Sequence, residues 1–138
     1  MALTVLDAGV VIAILDASDI HHHTAMQAVT TAIDRGDDLV LPASAYAEVL
    51  VAPHRRGADA VGTVDAFLDA LPAGIEPATR IVAARAAELR ARHGTQLRLP
   101  DALVVATAMA LGAERVITTD GRWPRLPVRV EVIRPEAG

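Results

Sequence analysis

The chain has 138 residues, 52% of them hydrophobic and 2% aromatic, with a net charge of -4, which predicts one compact domain over residues 1–138. Cysteine and lysine are both absent, and this excludes disulfides, Cys-ligated metal sites, Walker A loops and Schiff-base lysines. The negative charge and the single Trp, Tyr and Phe argue against a broad basic nucleic-acid surface and against a base-stacking platform.

The first part of the chain alternates strand and helix patterns. A strand over residues 3–6 leads through Asp7 into an apolar helix, and a second helix follows, with Asp19 as its N-cap and Gly36 after its end. The stretch "DLVLPAS" predicts a strand, and "SAYAEVLVA" predicts a helix that Ser44 caps. The second helix carries apolar residues at helical spacing for a core or partner surface: Met26, Val29 and Ile33.

The alternation continues to the end of the chain. Residues 57–71 predict an amphipathic helix that Pro72 ends, followed by a short strand in "AGIEP". An arginine-bearing helix then ends at Gly94, and "LRLPDALVVATAMALG" predicts a buried helix. "ERVITTD" and "PVRVEVIRP" predict the last two strands. Strands separated by helices of about a dozen residues predict an α/β fold, with three α/β/α layers and a mostly parallel central sheet.

Four of the 17 acidic residues are not fully explained as helix caps or surface charges. Asp7 and Asp120 each follow a predicted strand, Glu48 lies half a helix beyond "LVLPAS", and Asp101 opens the buried helix. In a parallel sheet with right-handed crossovers these positions share one edge, where ligands bind in this class of fold. The sequence therefore predicts one acidic pocket.

The charge of such a pocket must be neutralised. Two carboxylates about 5 Å apart repel by roughly 3 kcal/mol at an effective dielectric constant near 20. Raised pKa values, Arg partners or hard divalent cations each relieve this repulsion. Several carboxylates with bound waters suit Mg²⁺ or Mn²⁺, and two such ions about 4 Å apart can clamp the attacking and leaving oxygens of a phosphodiester. An acidic protein can engage RNA in this way.

The stretches "TVLDAGVVIAIL", "LPASAYAEVL" and "LPDALVVATAMALGAERVITTD", with the Trp of "GRWPRL", resemble the successive motifs of PIN-domain ribonucleases, specifically the toxin subunits of VapBC-type toxin-antitoxin pairs. The resemblance covers nearly the whole chain in order. It implies a PIN-like fold and a Mg²⁺-dependent endoribonuclease, with Mn²⁺ as a substitute, that leaves 5′-phosphate and 3′-hydroxyl ends. By matching motif, the catalytic and metal-binding residues would be Asp7, Glu48, Asp101 and Asp120, with Thr118 as a supporting hydrogen-bonding residue.

The resemblance also implies partners. These are an RNA substrate, a second copy of the chain in a homodimer, and a cognate VapB-type antitoxin whose C-terminal segment enters the acidic groove. No apolar stretch reaches the roughly 20 residues of a membrane helix, and the N-terminus lacks the basic region of a signal peptide. We therefore expect a cytoplasmic protein without a membrane partner.

Two other groups of residues have competing interpretations. His21, His22 and His23 suggest a zinc site, but consecutive side chains on a helix point about 100° apart and so do not converge on one ion. The arginines of the fifth predicted helix form either a solvated face or a guide for the RNA backbone: Arg80, Arg85, Arg90 and Arg92.

Two other classes of protein also place acids at strand ends. A receiver-like phosphoacceptor domain binds Mg²⁺ there, but it needs a lysine, and this chain has none. A noncatalytic α/β binding module, in which the four acids are caps and surface charges, stays open as the alternative.

Overall fold

The computed structural model describes residues 2–136, which form a sheet flanked by helices. The strands are Leu3–Leu6 (β1), Asp38–Pro42 (β2), Ala73–Glu76 (β3), Arg115–Thr118 (β4) and Val130–Val132 (β5). The helices are Ala8–Leu15 (α1), His22–Asp34 (α2), Ala43–Arg56 (α3), Ala58–Ala70 (α4), Arg80–His93 (α5) and Leu99–Leu111 (α6). A 3-10 turn, Gly94–Gln96, joins α5 to α6. The domain predicted over residues 1–138 includes residues 1, 137 and 138, which lie outside the described range.

The strand order is β3-β2-β1-β4-β5, and each pairing is parallel. The predicted α/β fold is thus confirmed, and the described strands are parallel throughout. β1 lies in the centre, where Val5 and Leu6 are fully buried by the layers on both faces. The chain winds outward from β1 to β3 on one side and from β4 to β5 on the other. A switch point therefore lies between β1 and β4, the place where α/β sheets bind ligands.

The core has two groups of buried side chains. One surrounds β1, α1 and α3, with Leu6 and Val11 at its centre, and the other lies between α5 and α6, with Leu89 and Val105. Trp123 is partly buried and packs against both groups. The loop that follows β4 is therefore anchored where the two groups meet.

None of the helices in residues 2–136 has both the length and the apolar character that a membrane span requires.

Two predicted helix starts are wrong. α2 begins at His22 rather than directly after Asp19, and the Asp19 carboxylate instead accepts the backbone N–H of His21 at 2.8 Å. α3 begins at Ala43 with Pro42 in the N-cap position, so Ser44 lies within the first turn and caps nothing. The chain enters α2 from a turn and α3 from the end of β2. After such an entry, the type of residue near the cap does not by itself determine where the helix begins.

The outer face of α2 is also less buried than a core helix. Val29 is buried, but Met26 is 44% exposed and Ile33 is 37% exposed. The sequence predicted that these three residues form either part of the core or a partner surface. Only Val29 is buried enough to belong to the core. The predicted amphipathic helix over residues 57–71 buries Val64 and Leu68.

Candidate active site

Asp7 lies at the junction of β1 and α1 and is 8% exposed. It is the N-cap of α1, where Oδ1 accepts the backbone N–H of Ala8 at 2.9 Å. Its Oδ2 accepts a hydrogen bond from the hydroxyl of Thr118 at 2.7 Å. An acid at a helix N-terminus is stabilised by the N–H groups and the dipole. Both oxygens of Asp7 thus have fixed directions.

The pKa of Asp7 is nevertheless raised. Burial is the largest cause, and the negative charges of Glu48 and Asp120 add to it, while the hydrogen bonds from Thr118 and Ala8 offset part of the effect. A buried carboxylate beside other carboxylates gains from a nearby cation more than an exposed one does. Of the four acids, the buried Asp7 carboxylate should therefore be stabilised most by a positive charge in the site.

Asp101 and Glu48 face the site from two helices. Asp101 lies in the first turn of α6, after Pro100, and its pKa is raised by partial burial and by the charge of Asp7. Glu48 lies on the solvent-facing side of α3, and partial loss of water around its carboxyl raises its pKa, with Asp101 adding to the effect. Arg98 lowers both values but less strongly.

Asp120 is the exception among the four. Burial raises its pKa, but the hydrogen bonds and the charge of Arg122 outweigh burial, so the pKa of Asp120 is lowered. Its Oδ1 accepts the backbone N–H of Arg122 at 2.9 Å and Arg122 Nε at 3.1 Å. The backbone N–H of Asp120 donates in turn to Thr118 Oγ1 at 3.1 Å. The Thr118 hydroxyl therefore links the loop of Asp120 to Asp7.

Asp7 thus lies within electrostatic range of the other three predicted acids: Glu48, Asp101 and Asp120. Within residues 2–136, however, no three His, Asp or Glu side chains are placed to hold a metal ion together. Carboxylates this close to one another repel, and a cation among them would relieve the repulsion. The donors are all carboxylate oxygens and three have raised pKa values, a set whose chemistry fits a hard divalent cation.

α1 and the loop after β4 approach closely beside this site. A Cβ added to Gly9 would lie 2.5 Å from Thr119 Oγ1, a distance at which one of the two must move. Gly9 therefore allows the first turn of α1 to lie against the residue that precedes Asp120. A glycine at such a position serves close backbone approach.

Sequence reasoning missed two arginines. Arg98 and Arg122 lie with Asp101 and Asp120 around a cleft of about 280 Å³, which Thr95 and Gln96 complete. Their spacing was the available signal in the sequence: Arg98 precedes Asp101 by three residues, and Arg122 follows Asp120 by two. The α5 arginines were proposed instead, and one of them, Arg85, lines a separate groove between α5, α6 and residues 127–129.

A second, largely apolar groove of about 350 Å³ runs between α1, α3 and α4. Ile12, Leu15, Val49 and Val64 contribute apolar side chains, and Glu48 connects the groove to the acids. Ile12 is 40% exposed, so this apolar surface faces solvent.

The histidines have structural contacts. His22 Nδ1 lies 2.8 Å from the carbonyl oxygen of Ala13, one of the last carbonyls of α1, and so ties α2 to α1. His21 Nδ1 lies 3.4 Å from Asp19 Oδ1. His22 and His23 meet edge to face.

A parallel α/β domain with carboxylates gathered at its switch point is the class of protein that this fold and site define. The chain matches the family model of the PIN domain over residues 4–128 and belongs to the PIN domain family. No curated protein matches the chain.

Solved structures share this fold. A toxin-antitoxin complex from Klebsiella pneumoniae is 22% identical with a TM-score of 0.71, over 90% of this chain and 92% of that one. VapC20 of Mycobacterium tuberculosis, described as a Sarcin-Ricin loop cleaving toxin, is 20% identical with a TM-score of 0.66, over 82% and 86%. VapBC2 of Rickettsia felis, bound to a DNA fragment from its promoter, is 13% identical with a TM-score of 0.73, over 97% and 99%.

Proposed function

We propose that this PIN-domain chain is a Mg²⁺-dependent endoribonuclease, with Mn²⁺ as a substitute, and the toxin of a type II toxin-antitoxin pair in the cytoplasm. One observation carries the proposal: buried Asp7, fixed by Ala8 and Thr118, has three further carboxylates within electrostatic range. The similarity to VapC20, a toxin that cleaves the Sarcin-Ricin loop, supports RNA as the substrate class.

In this proposal Asp7, Glu48, Asp101 and Asp120 would hold the cation. When bound, a divalent cation lowers the pKa of water and stabilises charge on phosphate oxygens. Thr118 orients Asp7 and favours its ionised form, because its hydroxyl donates to the carboxylate. One carboxylate oxygen of Glu48 or Asp101 that the cation leaves free would accept the proton of the attacking water.

The reaction is then a hydrolysis. The water oxygen forms a bond to phosphorus, the bond from phosphorus to the 3′-oxygen breaks, and a proton returns to that oxygen. The products carry a 5′-phosphate and a 3′-hydroxyl.

We further propose that the groove between α1, α3 and α4 receives the C-terminal segment of a VapB-type antitoxin. The groove is largely apolar and its lining includes the acids Asp16 and Glu48, so a segment with apolar residues and an Arg would complement both its surface and these charges. Three of the similar structures are toxin-antitoxin complexes by name. A homodimer, the other proposed assembly, is tested by sedimentation of the purified chain.

The function is tested with purified protein, mixed cellular RNA and Mg²⁺ or Mn²⁺. We expect cleavage that EDTA stops and that Asp7→Asn reduces by at least about a hundred-fold, the usual effect of losing a group on the reacting centre. Asp59→Asn, which removes an exposed acid of α4, is the matched control and should cleave as the wild type does. Equal cleavage in EDTA and by Asp7→Asn would contradict the proposal and favour the noncatalytic binding module.

A further inference from the structure

Two arginines lie at the rim of the acidic site and pair with its carboxylates. Arg98 Nε lies 3.9 Å from Asp101 Oδ2, and Arg122 Nε lies 3.1 Å from Asp120 Oδ1. Their side chains are 72% and 86% exposed, respectively. Exposed ion pairs hold long side chains only weakly. Both guanidinium groups are therefore able to change partner.

The same four residues line the cleft of about 280 Å³ beside the site. Small-molecule sites usually measure about 300–1,000 Å³, so the cleft is close to the lower end of that range, a size that suits a ligand of about one nucleotide unit. Its lining includes no aromatic side chain, but a planar guanidinium can both fork onto a phosphate and stack on a base. Thr95 and Gln96 add a hydroxyl and an amide, which can bond to the edge of a base.

We propose that Arg98 and Arg122 exchange partners when the site is loaded. In the metal-free protein they neutralise Asp101 and Asp120; once these carboxylates bind a divalent cation, the guanidinium groups hold the phosphate of a nucleotide seated in the cleft. Asp120 Oδ1 already accepts two bonds from Arg122, so a cation at this oxygen competes directly with the guanidinium. This inference rests on the proposed function, because it assigns the cation to the same carboxylates.

The exchange predicts two effects of opposite sign. Arg98→Ala and Arg122→Ala each remove a competitor and a positive neighbour, so the metal should bind about two- to five-fold more tightly, the range expected of an exposed ion pair. The same variants lose a charge-assisted bond to phosphate, so a nucleotide should bind the metal-loaded protein about ten-fold more weakly. A residue that only stabilises the fold would weaken both.

Metal binding is measured by calorimetric titration of Mn²⁺ into the RNA-free protein. Nucleotide binding is measured by titrating the four nucleoside 5′-monophosphates, which lack a phosphodiester bond to cleave, into the Mn²⁺-loaded protein and into the protein in EDTA. Arg55→Ala is the matched control, because it also removes one exposed guanidinium group but from the last turn of α3. Gln96→Ala should change the order of affinity among the four nucleotides without changing the affinity for Mn²⁺.

The expected result is tighter Mn²⁺ binding and weaker nucleotide binding in Arg98→Ala and Arg122→Ala, with the Arg55→Ala variant unchanged. Unchanged or weaker Mn²⁺ binding in both variants would overturn the exchange, as would nucleotide binding equal to that of the control. If the wild type cleaves RNA and these results still fail, the partner exchange is wrong and the proposed function stands. If the wild type neither binds Mn²⁺ nor cleaves RNA, the proposed function fails as well.

Discussion

The hydroxyl of Thr118, the last residue of β4, donates to Asp7 Oδ2 at 2.7 Å and joins two residues 111 positions apart in the sequence. This bond lowers the pKa of Asp7 against the larger effect of burial. The ends of the two neighbouring strands at the switch point are therefore joined by one hydrogen bond that favours the ionised form of a buried carboxyl.

Thr118→Val removes this hydroxyl at nearly constant volume. The pKa of Asp7 should rise further, so the acidic limb of the pH profile for RNA cleavage should move to higher pH, with cleavage at neutral pH reduced about ten-fold. The measurement is the initial rate of cleavage across a pH series with Mg²⁺. Thr118→Ser keeps the donor and should match the wild type; identical profiles for the valine variant and the wild type would contradict the prediction.

Gly9→Ala should destabilise the protein through Thr119. The added Cβ would lie 2.5 Å from Thr119 Oγ1, whereas the Thr119 Cβ is 3.7 Å away, so the clash is with the hydroxyl. In a Thr119→Ala background the same substitution should be neutral, or stabilising by up to about 1 kcal/mol, because alanine favours a helix more than glycine does. Urea unfolding of the four proteins gives the coupling, expected at about 0.5–3 kcal/mol. Additive effects would show that the two residues do not meet.

The metal-free protein should gain stability as the pH falls below neutrality. The pKa values of Asp7, Glu48 and Asp101 are raised, so the folded state takes up protons before the unfolded chain does, and each uptake stabilises it until the pH reaches the ordinary carboxyl range. The melting temperature in EDTA, measured across this range, tests the sign.

Asp101→Asn removes one of these charges. At neutral pH in EDTA the variant should melt at or above the wild-type temperature, and it should gain less on acidification. A large loss of melting temperature would show instead that Asp101 stabilises the start of α6 as a helix-terminal acid.

Asp37, which precedes β2, should behave in the opposite way. Its pKa is lowered chiefly by the hydrogen bond from Arg35, at 2.8 Å, and also by the hydroxyl of fully buried Thr4 at 3.0 Å. Because the folded pKa is depressed, the stabilisation is present above the ordinary carboxyl range and is lost as the pH falls through the folded value. Asp37→Asn should lower the melting temperature at neutral pH and leave RNA cleavage unchanged. A loss of cleavage at full stability would contradict this separation.

The sequence predicted the elements and the four acids because their signals are local. A buried strand that ends in an acid is readable at Asp7 and Asp120, and parallel strands bring such ends to one edge. The arrangement around Asp120 was not readable, because it depends on a turn in which the backbone of Arg122 bonds back to the carboxylate. The α5 arginines form a group that is visible in the sequence. Arg98 and Arg122 instead come to lie beside the acids because of the start of α6 and the turn after Asp120.

Capping residues were misjudged for a related reason. Asp19 and Ser44 are residue types that favour helix starts, but Asp19 bonds within a turn and Pro42 occupies the N-cap of α3. Residue type gives a preference, and the path of the chain out of the preceding element decides where the helix begins.

Asp7 obtains its partner from β4, far along the chain, and this has a consequence during protein synthesis. A ribosome that has made the first strand and the five helices before α6 has produced neither Thr118 nor Asp120, and β1 still lacks the neighbour on one of its sides. The acids can gather only after β4 has left the exit tunnel and paired with β1. The nascent chain therefore lacks the complete set of gathered acids for most of its translation.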